Sequence, residues 1–218
     1  VECQAASTLQ GLLQEEPSTL RSLRFAVVDL ETTGGSPQAF WDRNERFHAP
    51  SEITEVGAVT LAGRILEGSF QSLCAVEREV PAIIQRLTGI TPELLVGAPS
   101  WERVALRLAP LLEGRVWVAH HAAFDGSFLK AYLPPGLWSR HRLLCTVRLA
   151  RKLVPEAPSK SLGALVAFLG LSNRRPHRAL PDAEATAELL QHLIDRAEAA
   201  GLDPTAFFKA GEVGWKKL

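Results

Sequence analysis

Methionine is absent from these 218 residues, and tyrosine occurs once. Without a methionine, residue 1 is not an initiator as written, and a processed, trimmed or alternative start is the expectation. Cysteine is scarce as well. Cys3, Cys74 and Cys145 are odd in number and scattered, without the paired spacing of a zinc site or a disulfide framework. They read as reduced thiols in a cytoplasmic protein. Net charge is also missing, since 24 Lys and Arg stand against 24 Asp and Glu. A global attraction to polyanions is thereby excluded, although a cleft can still focus a local field. No apolar run reaches the roughly 20 residues of a membrane span, and no basic-then-apolar leader opens the chain, so no membrane association is expected. The sequence shows no internal repeat, low-complexity run or interdomain linker. Its length suffices for one good core plus an appendage.

What is present centres on Phe25-Ala-Val-Val-Asp29-Leu-Glu31-Thr32-Thr33-Gly34. A short apolar run ends in two carboxylates and a glycine turn. In a strand, residues two apart share a face, so Asp29 and Glu31 project together. Two like charges on one face repel unless a cation lies between them, and oxygen ligands at the end of a rigid strand suit Mg²⁺ or Mn²⁺. Thr32, Thr33 and Gly34 end the strand and allow close approach to the backbone.

Around this stretch the patterning alternates. The pattern predicts a short helix over residues 9–16, stopped by Pro17. A strand covers 24–30, and residues 35–51 form a long irregular stretch. Its Phe40, Trp41, Arg43, Arg46 and Phe47 resemble a stacking-and-phosphate surface, with a loop packed on the core as the competing reading. Strands at 53–61 and 65–75 make a hairpin, with Glu55 facing away from Val56. Helices follow at 81–87 and 100–112, with Thr91 and Pro92 starting a turn between them. A buried strand at 116–119 leads into a helix at 120–133. A strand at 143–145 leads into helices at 146–154, 161–169 and 181–200, and 202–218 reads as a tail with Phe207, Phe208 and Trp215. The order implies an α/β layered domain with a mixed sheet. The division is an N-terminal extension at 1–22, a domain at 23–200 and a C-terminal tail at 201–218.

Further polar groups interrupt apolar surroundings. His120-His121-Ala-Ala-Phe124-Asp125 follows the buried strand, and His177-Arg178-Ala-Leu-Pro-Asp182 enters the long helix. Asp125 and Asp182 each fall in a first helical turn, where the dipole favours an acid in any case, and His177 alone reads as an exposed histidine. Jointly, four carboxylates at the ends of elements match where α/β sites are built.

These residues carry a family resemblance. Asp29-Leu-Glu31-Thr-Thr-Gly34, His120-His-Ala-Ala-Phe-Asp125 and His177-Arg-Ala-Leu-Pro-Asp182-Ala, in that order, resemble the DnaQ-like 3′–5′ exonucleases with four acids and a histidine (the DEDDh group). Ile53-Thr-Glu-Val-Gly-Ala58, Leu87-Thr-Gly-Ile-Thr91 and Thr146-Val-Arg-Leu-Ala-Arg151 support it. Within that family the chain is most similar to the proofreading exonucleases of bacterial DNA polymerase III, whether subunit or embedded domain. The departures are His121 where Asn is common, Cys145 where Asp is common, the longer 35–51 stretch and the N-terminal extension.

The resemblance implies a ribonuclease-H-like three-layer fold with a mixed central sheet flanked by helices. It implies two Mg²⁺ or Mn²⁺ ions, with Asp29 bridging both, Glu31 and Asp182 completing one site, and Asp125 holding the other through water. His177 would be the general base. Thr32, Thr33, Gly34, Ile90, His121, Phe124 and Arg178 would contact substrate, with Ile90 stacking on bases and Arg178 on phosphate. The implied reaction is removal of 5′-mononucleotides from single-stranded or frayed DNA 3′ ends in proofreading or repair, with a DNA polymerase as a partner. Two alternatives stand beside it: an exoribonuclease acting on RNA ends, and a non-catalytic module that binds nucleic acid or polymerase.

Overall fold

The structure, a computed structural model, describes residues 20–138 and 142–213. Cys3, Trp215 and the helix expected at 9–16 lie outside them. After a 3₁₀ turn at Leu20–Ser22 comes β1 (Arg24–Thr32), then the short strands β2 (Phe40–Trp41) and β3 (Phe47–His48). β4 (Ile53–Ala62) and β5 (Ile65–Leu73) follow as a hairpin. Helices α1 (Ala82–Thr88), α2 (Pro92–Leu95) and α3 (Trp101–Leu112) lead to β6 (Val116–Ala119). Then come α4 (Ala122–Tyr132), α5 (Pro135–Trp138), β7 (Leu143–Cys145), α6 (Thr146–Leu153), α7 (Leu162–Leu169), α8 (Ala179–Ala199) and α9 (Pro204–Gly211).

One five-stranded sheet runs in the order β5-β4-β1-β6-β7. β4 is antiparallel to both β1 and β5, while β6 is parallel to β1 and β7 to β6. The two-residue period of β1 divides its side chains between two cores. Ala26, Val28 and Leu30 pack with Trp101, Val104 and Leu108 of α3 and Phe128 of α4. Phe25 and Val27 face the other way, onto Leu149 of α6 and Ala183, Ala187 and Leu190 of α8. Each such large apolar side chain, fully buried, stabilises the fold by roughly 1.5–3 kcal/mol. Helices therefore cover both faces, giving the three-layer α/β architecture with a mixed sheet that the sequence implied. Among the described residues no helix is long and apolar enough to cross a membrane.

Three features differ from the sequence reading. The core extends beyond 23–200. At one end Leu20 is buried, and at the other Phe207 and Phe208 of α9 are buried in the same cluster. The Asp203 side chain caps α9 by accepting the Ala206 amide at 2.8 Å, and the Val213 amide donates to the Leu143 carbonyl at 2.9 Å. A segment read as a tail thus completes the β7 edge. Its few apolar positions are too short a run to show helical period, and only tertiary packing fixes them. The third difference is at 35–51, which holds the hairpin β2–β3 instead of a packed loop. Phe40 stacks on His48 with centroids 4.6 Å apart, and Trp41 is 69% exposed.

Candidate active site

Asp29 and Glu31 lie on the face of β1 that carries Phe25 and Val27, so they point toward the α8 layer. α8 reaches them because β4 has a glycine opposite Asp29. Gly57 pairs with Asp29 in register, and a Cβ there would lie 2.2 Å from the Ala179 carbonyl carbon. Without a side chain at 57, the first turn of α8 rests directly on the sheet. Pro181 is tolerated there because a first-turn amide has no helical acceptor. Asp182, in that turn, then brings a carboxylate to the strand pair. Oxygen atoms of Asp29, Glu31 and Asp182 lie within 4.8 Å of one another. Asp182 is oriented from both sides: Asn173 Nδ2 donates to one oxygen at 2.6 Å and the His177 amide to the other at 3.0 Å.

The fourth acid comes from the opposite layer. Asp125, buried in the first turn of α4, lies outside the tight trio but lines the same cleft of about 420 Å³ with His121, Phe124 and His177. His120 is structural. Its Nε2 lies 2.9 Å from the Lys160 carbonyl, which can only accept, so Nδ1 accepts from the Thr146 hydroxyl at 2.9 Å. Burial, with His121 alongside, pushes this imidazole down to about 4, so it stays neutral. His177 is exposed at the rim with φ of 62°.

Of the expected substrate contacts, Ile90 and Arg178 are placed differently, while the expected contact at 32–34 is one of backbone groups. Ile90 is fully buried against Val80 and Leu95 and has no surface to offer a base; its apolar character serves packing. Thr32 and Thr33 are buried with their hydroxyls engaged. Thr32 donates to the Gly34 carbonyl at 2.7 Å, and Thr33 accepts the Glu52 amide at 2.9 Å. Arg178 turns away from the phosphate role and lays its guanidinium on Glu55, with Nε 2.9 Å and Nη2 2.5 Å from the two carboxylate oxygens. His121 and Phe124 do line the cleft.

Glu55 is the residue that sequence reasoning missed. It is fully buried, and it also accepts the Ala179 amide at 3.0 Å and Gln71 Nε2 at 2.7 Å. Burial pushes its carboxyl up, but Arg178, the Ala179 amide and Gln71 outweigh that and hold it below its ordinary value. The signal was present: an acid amid an apolar strand, two residues before a glycine.

Asp29, Glu31 and Asp125 behave oppositely. Burial, then Asp125, Glu31 and Asp182, raises Asp29 well above the carboxylate range. Burial, then Asp182, Glu55 and Asp125, raises Glu31 to about 8. Burial raises Asp125 to about 7 against the Leu30 amide, which favours its charged form. Such a cluster holds protons at neutral pH unless a cation replaces them. All-oxygen donors on rigid elements fit a hard divalent ion.

Comparison with known proteins agrees with this chemistry. The exonuclease family model matches residues 26–190. A Mycobacterium tuberculosis protein whose assigned name suggests a bifunctional exonuclease/endonuclease is 39% identical over 188 residues, 84% of this chain and 28% of its own length. The chain thus spans little more than a quarter of that relative. The DNA polymerase III epsilon subunit of Aquifex aeolicus is 32% identical over 173 residues, 78% of this chain and 80% of its own. Exonuclease X, solved with 5′-overhanging duplex DNA, shares the fold with a TM-score of 0.63 at 24% identity, covering 86% of this chain and 98% of its own.

Proposed function

The chain belongs to the exonuclease family, and from that premise we propose that it removes 5′-mononucleotides from single-stranded or frayed DNA 3′ ends. One observation carries the reading: carboxylates from β1 and α8 converge within 4.8 Å in an open cleft. Asp29, Glu31 and Asp182 would hold Mg²⁺ or Mn²⁺, with Asp125 supporting a second ion. Bound divalent ions supply an activated water, charge stabilisation at phosphorus and support for the departing 3′-oxygen. His177, on a loop tied to Asp182 by its own amide, accepts the proton of the attacking water. The P–O3′ bond breaks as the water oxygen bonds to phosphorus, and the proton passes to the shortened strand's 3′-oxygen. Phe124 and His121 flank the terminal nucleotide, which stacking holds without regard to sequence. Roles in proofreading or repair, and docking to a DNA polymerase, are supported by the likeness to the epsilon subunit.

The test is digestion of 5′-labelled DNA and RNA strands of one sequence with Mg²⁺, Mn²⁺ or EDTA. A ladder shortening by single nucleotides from the 3′ end of DNA, and lost in EDTA, is expected. Faster shortening of RNA would reassign the substrate, and no shortening with either ion would refute the reading.

A further inference from the structure

The acidic cleft does not end at Phe124. His121 and Phe124 also wall a second hollow of about 660 Å³, whose floor is Cys145, Val147 and Val213 and whose side is Arg148 and Arg151. Those two arginines in turn wall a third, shallower hollow of about 530 Å³, with Lys152 and Lys209. The three form one groove from the acids along α6 to α9. Arg148, Arg151 and Lys152 fall at i, i+3 and i+4, one face of α6.

These four cations are exposed, and among the described residues none pairs with a carboxylate within 4.0 Å. Arg148 donates to the Glu212 carbonyl only. Elsewhere Arg21, Arg24, Arg64, Arg115, Arg178 and Arg196 each hold an acid. In a chain of zero formal charge, four cations without an ion pair thus line one groove that opens into the cleft. The β2–β3 hairpin is balanced instead, with Asp42 and Glu45 against Arg43 and Arg46.

We propose that this groove carries the strand on the 5′ side of the terminal nucleotide. Its phosphates lie on Arg148, Arg151, Lys152 and Lys209, and its bases lie over the apolar floor beside Phe124. Cations along a backbone path with an apolar floor for bases are the chemistry of a single-strand channel. The inference rests on the exonuclease reading above and adds a path that the acids alone do not define.

Two substrates separate the two claims. The nitrophenyl ester of thymidine 5′-monophosphate needs only the cleft, whereas a long oligothymidylate needs the groove too. In Arg151→Ala/Lys152→Ala, KM for the long strand is expected to rise several-fold, with hydrolysis of the ester unchanged. Each phosphate contact on a single strand contributes about 0.7 to the slope of log affinity against log salt. Binding of the long strand in EDTA should therefore lose roughly 1.4 of that slope. An oligouridylate should lose the same, because phosphate and not sugar is read. A Lys152→Arg/Lys209→Arg variant should keep the wild-type slope. Unchanged KM and slope in the alanine variant would overturn the groove, as would an equal loss on ester and long strand. A wild type that cleaves neither substrate refutes the exonuclease reading instead, and the slope in EDTA still decides the groove.

Discussion

Asp29 and Glu31 stand one pleat apart on β1 with Asp182 beside them, and this crowding sets how the protein answers to pH. Glu31 is held at about 8 from an ordinary 4.5, and Asp125 at about 7 from 3.8. The native state therefore binds more protons than the unfolded chain between those values. The stabilisation is full below the unfolded values and is lost as pH rises through about 7 and then about 8. In EDTA the melting temperature should fall between pH 5 and 8, and saturating Mg²⁺ should remove most of that fall; a flat profile in EDTA would contradict the crowding. Ion binding must displace the same protons, so Mg²⁺ affinity by calorimetry should rise over that range. His177 poses a different question. Its φ of 62° is left-handed backbone that Asn tolerates better than Ala. His177→Asn should keep the melting temperature and Mn²⁺ binding while turnover falls roughly 10²–10⁴-fold, the usual weight of a general base. Near-normal turnover would remove His177 from that role.

At the scale of elements, the site depends on how α8 seats on β4. A methyl group at Gly57 would meet the Ala179 backbone at 2.2 Å, so Gly57→Ala should lift the first turn of α8 and carry Asp182 from its partners. Loss of cleavage together with weakened Mn²⁺ binding is expected, though no acid is touched. Glu55 and Arg178 clamp the same turn. Removing one member of a buried pair strands the other and costs about 3–5 kcal/mol. At roughly 2–4 °C per kcal/mol for a chain of this size, Glu55→Gln should melt on the order of 6–20 °C lower; a shift under 2 °C would show the clamp to be idle. The reason Glu55 escaped sequence analysis lies in β4, which is buried along almost its whole length on both faces. Alternation normally separates an inward acid from an outward one, and a doubly covered strand erases that signal. Arg178 was misplaced for the same reason, since its buried partner was not visible. Asp125 and Asp182 were legible as acids at element starts, where local rules and the site coincide. Ile90 was not, because an apolar residue in a loop reads equally as core or as a binding surface.

Over the whole molecule, charge balance conceals organisation. Four acids line one cleft, and Arg148, Arg151, Lys152 and Lys209 line the groove that leaves it, although the totals cancel. The layered fold was readable from the alternation of elements, because each layer needs its own hydrophobic period. Both ends of the core were not, since Leu20, Phe207 and Phe208 are buried by partners far away in sequence. The central claim is that acids from β1 and α8 form one divalent-ion site and that this site is where strands are cut. Its most direct test titrates Mn²⁺ into wild type and Asp182→Asn, reads free ion by electron paramagnetic resonance, and follows cleavage of a 5′-labelled strand in the same samples. Loss of tight Mn²⁺ binding and of cleavage together is the expected result. Wild-type Mn²⁺ affinity in Asp182→Asn, or cleavage that survives its loss, would contradict the claim.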